Sequence, residues 1–299
     1  MKIYFPYYYK GFKCIADRCR HSCCVGWEID VDDETLERYE AFDAPLRDEI
    51  LSHISDRAIG LCDDGRCPFL DECGLCRIIS SHGESAVSVI CREHPRFYHT
   101  VRGRSEGGIG AVCEEACRII LSSDGYYGFI EVDRSIDPPE ETEFNSIKHR
   151  DYLYELLYID DIKTYREKLL EIRQKYGIPD FLSDADGWNR ILSELEYLDT
   201  SRVGELRIGK RNGRAENKAY LQRFLAYLIF RYVSPAENYE NMRARIGFCL
   251  LLALIFENAL SECDPSFEEA VEIARVISEE IEYSEDNTSS LILEIESII

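Results

Sequence analysis

The sequence predicts a mainly α protein in two parts: an irregular cysteine-rich metal-binding domain over residues 1–136 and an all-helical domain over residues 137–299. Three observations carry this reading. Eleven of the thirteen cysteines precede residue 118, and Cys14, Cys19, Cys23 and Cys24 crowd into a single short stretch. That half is rich in Gly, Arg and turn dipeptides, whereas the second half repeats apolar residues at helical spacing. Between them stands Asp137-Pro138-Pro139-Glu140-Glu141, where two prolines amid acids resist both helix and sheet.

In chain order, Ile3 to Tyr9 reads as a short aromatic strand in an otherwise irregular start. Asp32, Asp33 and Glu34 offer a cap and favourable charge to a helix through Leu36, Tyr39 and Phe42, and a second helix crosses Leu46 to Ile54. Gly60 to Cys76 reads as loop, punctuated by Asp-Gly and Cys-Pro and anchored by Phe69 and Leu70. After Cys91, HPRFYHTV suggests a short strand, RGRSEGGIG a turn-rich segment, and Glu114 to Leu121 a helix.

One long helix is then expected to carry Leu153, Leu156, Leu157, Tyr165, Leu169, Ile172 and Tyr176 on one face, stopping at Gly177 before Pro179. Ser234-Pro235 with Glu237 reads as the cap, first-turn proline and capping acid of another, and Asp264-Pro265 opens a third. The longest apolar run, Ile246 to Phe256, has the length of a buried helix and not of a membrane span. A cytoplasmic protein with no membrane association is expected.

Charge narrows the function. A net charge of −22 disfavours nucleic-acid binding, which needs a basic face, and is compatible with a cationic protein partner. The acid is concentrated beyond Glu262, while Lys13, Arg18, Arg20, Arg66, Arg77, Arg92 and Arg96 accompany the cysteines. Positive charge there suits clustered thiolates. A further basic run, Arg202 to Lys218, reads as an exposed loop.

The cysteines have three possible explanations. Disulfides need an oxidising compartment, and MKIYFPYYYKGFK has neither the apolar run nor the small-residue cleavage site of a secretory signal. Packing alone does not need so many thiols. Metal ligation remains, since thiolates from several loop segments can converge on iron or zinc.

The spacings match no common motif. Counting on from Cys19 and Cys23, the third ligand of a radical adenosylmethionine motif would fall on Gly26, and only Cys73 and Cys76 have the two-residue spacing of a zinc ribbon. GRSEGGIG lacks the strand-then-helix frame of a nucleotide loop, and no serine–histidine–acid set stands out.

Four segments nevertheless carry a resemblance: FKCIADRCRHSCCVGW, CPFLDECGLC, CREHPRF and CEEACRIIL. Their order and spacing over about residues 5–121 are similar to those of the flagellin lysine-N-methylases, and a weaker likeness is to small zinc- or iron-chelating cysteine proteins. The resemblance implies methyl transfer from S-adenosylmethionine to lysine ε-amines of flagellin or another lysine-bearing protein, with an iron–sulfur cluster, [4Fe–4S] or alternatively zinc, as metal. Carried over residue by residue, it assigns the metal to Cys14, Cys19, Cys23, Cys24, Cys67, Cys76, Cys91 and Cys113.

Cys62, Cys73, Cys117 and His94 depart from the pattern and are read as non-ligands. Arg96 is the candidate donor to a cluster sulfur or a cofactor carboxylate. Eight thiols exceed the four that one cluster needs, so either some are structural or there are two sites. The alternative function is an iron–sulfur or zinc module without methylase activity, serving electron transfer or metal binding. No residue is singled out as a base.

Overall fold

The computed structural model describes residues 3–101, 104–123, 129–132, 144–158, 164–209, 219–263 and 265–299. Its strands are β1 (Ile3–Pro6), β2 (Ile29–Asp30), β3 (Ile54–Ser55), β4 (Ala58–Ile59), β5 (Arg96–Val101), β6 (Arg104–Ile109) and β7 (Phe129–Val132). Its helices are α1 (Asp33–Glu40), α2 (Leu46–Ser52), α3 (Arg77–His82), α4 (Val89–Glu93), α5 (Glu114–Ser122), α6 (Ser146–Tyr158), α7 (Tyr165–Tyr176), α8 (Ala185–Ser193), α9 (Ala219–Tyr232), α10 (Tyr239–Cys263), α11 (Phe267–Ile277) and α12 (Glu285–Ile298). The chain is mainly helical, as its sequence predicts, with more sheet than expected.

The chain folds as two compact units, Met1–Phe12 with Tyr98–Val112 and Ala116–Ile299, and Lys13–Phe97 with Cys113–Glu115. A single cut between residues 136 and 137 does not reproduce this division. The reason is the pairing of β1, which lies parallel to β6 and antiparallel to β7 in a four-stranded sheet of order β5-β6-β1-β7. That pairing takes the first twelve residues into the larger unit. The expected boundary at 137–141, residues 210–218 of the basic run and Asp264 lie outside the described residues.

In the larger unit, α10 is the central helix. It is the one described helix long and apolar enough to cross a membrane, yet 89% of its most apolar window is buried, and it packs against α9, α11 and α12. Helix starts differ from the sequence expectation at three places. The single helix expected from Leu153 to Tyr176 is two, because Thr164 caps α7 in a capping box with Glu167. Ser234 is no cap: its Oγ accepts from Arg150 at 2.9 Å, and Asn238 caps α10 by accepting from the Asn241 N–H at 2.9 Å. Ser266 caps α11, again with a capping box, to Glu269. The expected stop of α7 is as read, with Gly177 left-handed at φ 64°.

The segment RGRSEGGIG, expected as turns, supplies β6. Gly107 is the reason the strand fits: a Cβ there would stand 2.5 Å from the Phe5 ring and 2.9 Å from that of Tyr98.

The smaller unit holds a three-stranded sheet of order β2-β4-β3 and a compact core of Ile29, Tyr39, Ile50, Ile59, Phe69, Ile78 and Val87. Its first helix, α1, starts where expected, because Asp32 accepts from the Thr35 N–H at 2.9 Å and hydroxyl at 2.6 Å.

Candidate metal centre

The smaller unit brings most of the cysteines together, and the backbone does it in small steps. Val25 and Arg66 pair as an isolated bridge, and beside them the Cys67 N–H donates to the Cys24 carbonyl at 2.7 Å. Leu70 and Cys76 form a second bridge, closed by a turn in which Asp71 Oδ1 accepts from Cys73 N at 2.9 Å and Leu75 N at 2.8 Å. Gly74 completes that turn at φ 78°. Cys76 then precedes α3, and Cys91 stands in the first turn of α4, where Ser88 caps the helix by accepting the Cys91 N–H.

Four cysteines share one apolar core. Cys67 belongs to the apolar core itself, and Cys24, Cys76 and Cys91 pack against it. Burial pushes the Cys67 thiol up to about 12 and Cys91 up to about 11, and the neighbouring thiols add to both shifts. Cys76 is raised by burial too. Cys24 is the exception: its sulfur accepts a hydrogen bond from the Cys23 thiol, which lowers it against the opposing effect of burial, with help from Ser22 and the Arg66 charge. Arg77, opening α3, donates to Glu49 Oε1 at 2.5 Å and to the Pro68 carbonyl at 3.0 Å, which holds its charge near Cys76.

A second group forms where the chain before Cys23 meets the start of α5. Glu114, 3% exposed, accepts from Arg20 N at 2.9 Å and Arg20 Nε at 3.0 Å. Burial opposes ionisation there, yet the Arg20 hydrogen bonds and charge hold the carboxyl below its ordinary value. Cys19 Sγ lies 3.9 Å from Glu114 Oε2 and 3.3 Å from the His21 carbonyl. Cys113 directly precedes Glu114, Cys14 Sγ accepts from Ala16 N at 3.4 Å, and both Cys14 and Cys113 are close enough to influence Cys23.

The remaining cysteines stand elsewhere. Cys62 and Cys73 are exposed, Cys117 is buried in α5 with Sγ donating to the Val271 carbonyl at 3.4 Å, and Cys249 is buried in α10. The side chain of Cys263 lies outside the described residues. Arg96 opens β5 and donates to the Arg92 carbonyl at 3.3 Å. His94 is half-buried, and burial with the Arg96 charge pulls it down to about 4, so its imidazole is neutral at physiological pH.

Among the described residues, no three His, Cys, Asp or Glu side chains converge at ligand distance on one point. The donor chemistry nevertheless fits a thiophilic metal. None of the twelve described cysteines is in a disulfide, and buried thiols that raise one another's pKa ionise readily only when a cation replaces their protons. Sequence reasoning missed Glu114, Arg20 and Ser88 as organisers. Ser88 was findable, since a serine three residues before Cys91 is cap spacing, whereas the Arg20–Glu114 contact spans too much chain to be read.

Fold and site thus define a class, a cysteine-rich unit with grouped thiols in one chain with a helical unit. Comparison with known proteins goes further. Over 128 residues, 39% of this chain, the sequence is 32% identical to the flagellar biosynthetic protein FliU of Salmonella muenchen, and the match covers 75% of that protein. The lysine-N-methylases of Salmonella typhimurium strain LT2 and Salmonella choleraesuis strain SC-B67 match at the same 32% over 128 residues, 32% of their own length. The chain belongs to this lysine-N-methylase and FliU family, and it spans about a third of the length of the lysine-N-methylases it matches. No family model matches the chain, and neither does any solved structure.

Proposed function

We propose that this chain serves methyl transfer from S-adenosylmethionine to lysine ε-amines of flagellin, in the cytoplasm, with its grouped thiolates holding a [4Fe–4S] cluster. The observation that carries the reading is the 32% identity to proteins named lysine-N-methylase and FliU. The thiol groups support its metal component, because such crowding has no role in an apolar core that ordinary side chains could fill.

In such a transfer the amine lone pair attacks the methyl carbon, the sulfonium leaves as a neutral thioether, and the nitrogen proton is lost. The amine must therefore be neutral and aligned, and the chain must supply an environment that favours loss of its proton. Arg96 is proposed as a donor to a cluster sulfur or to the carboxylate of the methyl donor, and its place at the start of β5, two residues from His94, leaves it near Cys91 in sequence. A metal module without transferase activity is the second reading, favoured by the restriction of the identity to 39% of the chain.

The test is incubation of anaerobically purified protein with radiolabelled S-adenosylmethionine and flagellin. Label appearing in flagellin lysines supports methylation. A protein that retains stoichiometric metal and transfers no label to flagellin is the metal module instead.

A further inference from the structure

A lysine side chain attacks a methyl group only as a neutral amine, and the larger unit holds a buried polar cluster suited to that form. At its centre is Glu282, whose side chain is 0% exposed. It ends a π turn, Ser278–Glu282, which follows α11 and in which the Tyr283 N–H donates to the Ser278 carbonyl at 3.0 Å. Such turns are rare and are frequent at functional sites. Tyr227, on α9, donates to Glu282 Oε2 at 2.9 Å and accepts from the Ala111 N–H at 3.1 Å and from Arg231 Nη1 at 2.8 Å. Arg231 also pairs with Glu282 Oε2 at 3.4 Å, and its guanidinium lies 5.0 Å from the centre of the Tyr283 ring and 5.5 Å from that of Tyr232.

One oxygen of this carboxylate is fully engaged, and the other is not. Glu282 Oε1, the Tyr232 hydroxyl and the Tyr8 hydroxyl are buried and make no hydrogen bond. Their residues are 5%, 7% and 6% exposed, so all three are more than nine-tenths buried. Tyr232 stands beside Glu282 without bonding to it, and Tyr8, in the short 3-10 turn after β1, is within electrostatic reach of Glu282 and Arg231. Buried polar atoms without partners are costly, and three in one cluster point to a polar guest. Gly110 keeps the neighbourhood clear, since a Cβ there would collide with the Tyr283 hydroxyl and stand 3.2 Å from Arg231 Nη1. The cluster meets solvent at Arg231, whose side chain is 15% exposed, and at half-buried Tyr283.

Resting on the methylase function proposed above, we propose that Glu282 Oε1 and the Tyr232 hydroxyl bind the ε-amine of the substrate lysine, and that Arg231 sets its charge state. A neutral amine has two N–H donors and one lone pair. Glu282 Oε1 and the Tyr232 oxygen accept the two N–H groups, and the lone pair is left for the methyl carbon. Arg231 already compensates the Glu282 charge, so an ammonium would bring an uncompensated charge into a buried site. Desolvation and the like charge of Arg231 both lower a lysine pKa and favour the neutral form. Burial keeps the Tyr232 phenol protonated, well above its ordinary value, so it adds no second anion to hold the ammonium. A lysine carries its amine on a flexible four-carbon stem, the shape that reaches a buried carboxylate from the surface at Arg231.

Two measurements on the full chain test this. One is transfer of label from S-adenosylmethionine to flagellin, and the other is NMR of protein carrying carbon-13 in its tyrosine rings, titrated with Nα-acetyl-lysine methylamide. Glu282→Gln and Tyr232→Phe should each lower kcat/KM for flagellin by about 100-fold. Tyr232→Phe removes an oxygen that has no hydrogen bond in the protein, so a merely structural residue would lose nothing by it. In the wild-type protein the capped lysine should shift the Tyr232 ring signal saturably, the norleucine analogue should not, and Glu282→Gln should weaken the binding about tenfold or more.

No saturable shift in the wild-type protein, or equal affinity in wild type and Glu282→Gln, overturns the amine site and leaves the three groups to hold water alone. Label transfer undiminished in both variants overturns it too, while the methylase reading stands. A wild-type chain that binds the capped lysine through Glu282 and transfers no label to flagellin overturns the methylase reading instead and leaves the amine site in place.

Discussion

Single residues in this chain do two kinds of chemistry, and the difference shows in their surroundings. Arg150 is 1% exposed and donates to Glu106 Oε1 at 2.6 Å and to Ser234 Oγ at 2.9 Å, with its guanidinium 4.7 Å from the centre of the Phe129 ring. Glu106, 0% exposed, is also 3.1 Å from His99 Nε2. Such a pair offsets its desolvation only while both members remain. Arg150→Ala should therefore destabilise the larger unit by about 3–5 kcal/mol, since it strands a buried carboxylate, whereas a double replacement by apolar residues should cost much less. Urea unfolding followed by circular dichroism measures both, and equal costs for single and double variants would contradict the pairing.

Asp32 is the opposite case, a half-buried carboxylate whose partners are local. The Thr35 hydroxyl, then the Thr35 N–H, hold it down to about 2. A carboxyl whose folded pKa is depressed contributes stability above its unfolded pKa of about 3.9 and loses it as pH falls through the folded value. The α1 cap should accordingly be intact at pH 5 and weaken progressively from about pH 4 toward pH 2, and Asp32→Asn should flatten that dependence. Carboxyl carbon shifts in an NMR titration report the midpoint; one near 4 would show that the cap does not engage the ionised group.

At the scale of elements, the legible parts of the fold were those fixed by local chemistry. The α1 cap at Asp32, the stop of α7 at Gly177, the buried α10 and the strand through Phe97 and Tyr98 all depend on residues within a turn or two of one another. The parts that were not legible depend on distant partners. Ser234-Pro235 looks like a helix start, but Arg150, eighty-four residues away, takes the serine hydroxyl. RGRSEGGIG has the composition of a turn and becomes β6 because β1 offers a parallel partner and Phe5 fills the space that Gly107 leaves. Gly177 gives a test of the local kind. At φ 64° it ends α7 by donating to the Arg173 carbonyl, and a Cβ there would lie 2.8 Å from Arg243 Nη2, the movable end of a long side chain. Gly177→Ala should thus cost about 1–2 kcal/mol, from the left-handed backbone and not from the contact. Thermal unfolding of that variant and of Arg243→Ala in the same background separates the two: if removing Arg243 restores the loss, the clash and not the backbone is responsible.

For the whole molecule, the eight candidate thiols were legible as a set from their spacing, because cysteine is scarce and its clustering stands out against composition. Their grouping was not, since it depends on the Cys24–Cys67 and Leu70–Cys76 pairings and on a carboxylate that no cysteine motif contains. This arrangement also sets how the two units should respond to metal. The larger unit has a continuous apolar core from α9 through α12, including Phe224, Leu251, Ile255, Val271 and Ile295, each under 1% exposed. The smaller unit has short helices, strands of two residues and a core in which Cys67 itself takes part. If metal binding supplies folding free energy to such a unit, its removal should be felt there first. Treatment of the oxygen-free protein with a strong chelator should expose residues 13–97 to limited proteolysis while fragments containing α9 to α12 persist, and much of the helical circular dichroism should survive. Mass spectrometry of the digest identifies the cut sites. Resistance of both units after verified metal loss would show that the cysteine-rich unit stands without metal, and equal cleavage of both would show that metal does not act on that unit selectively.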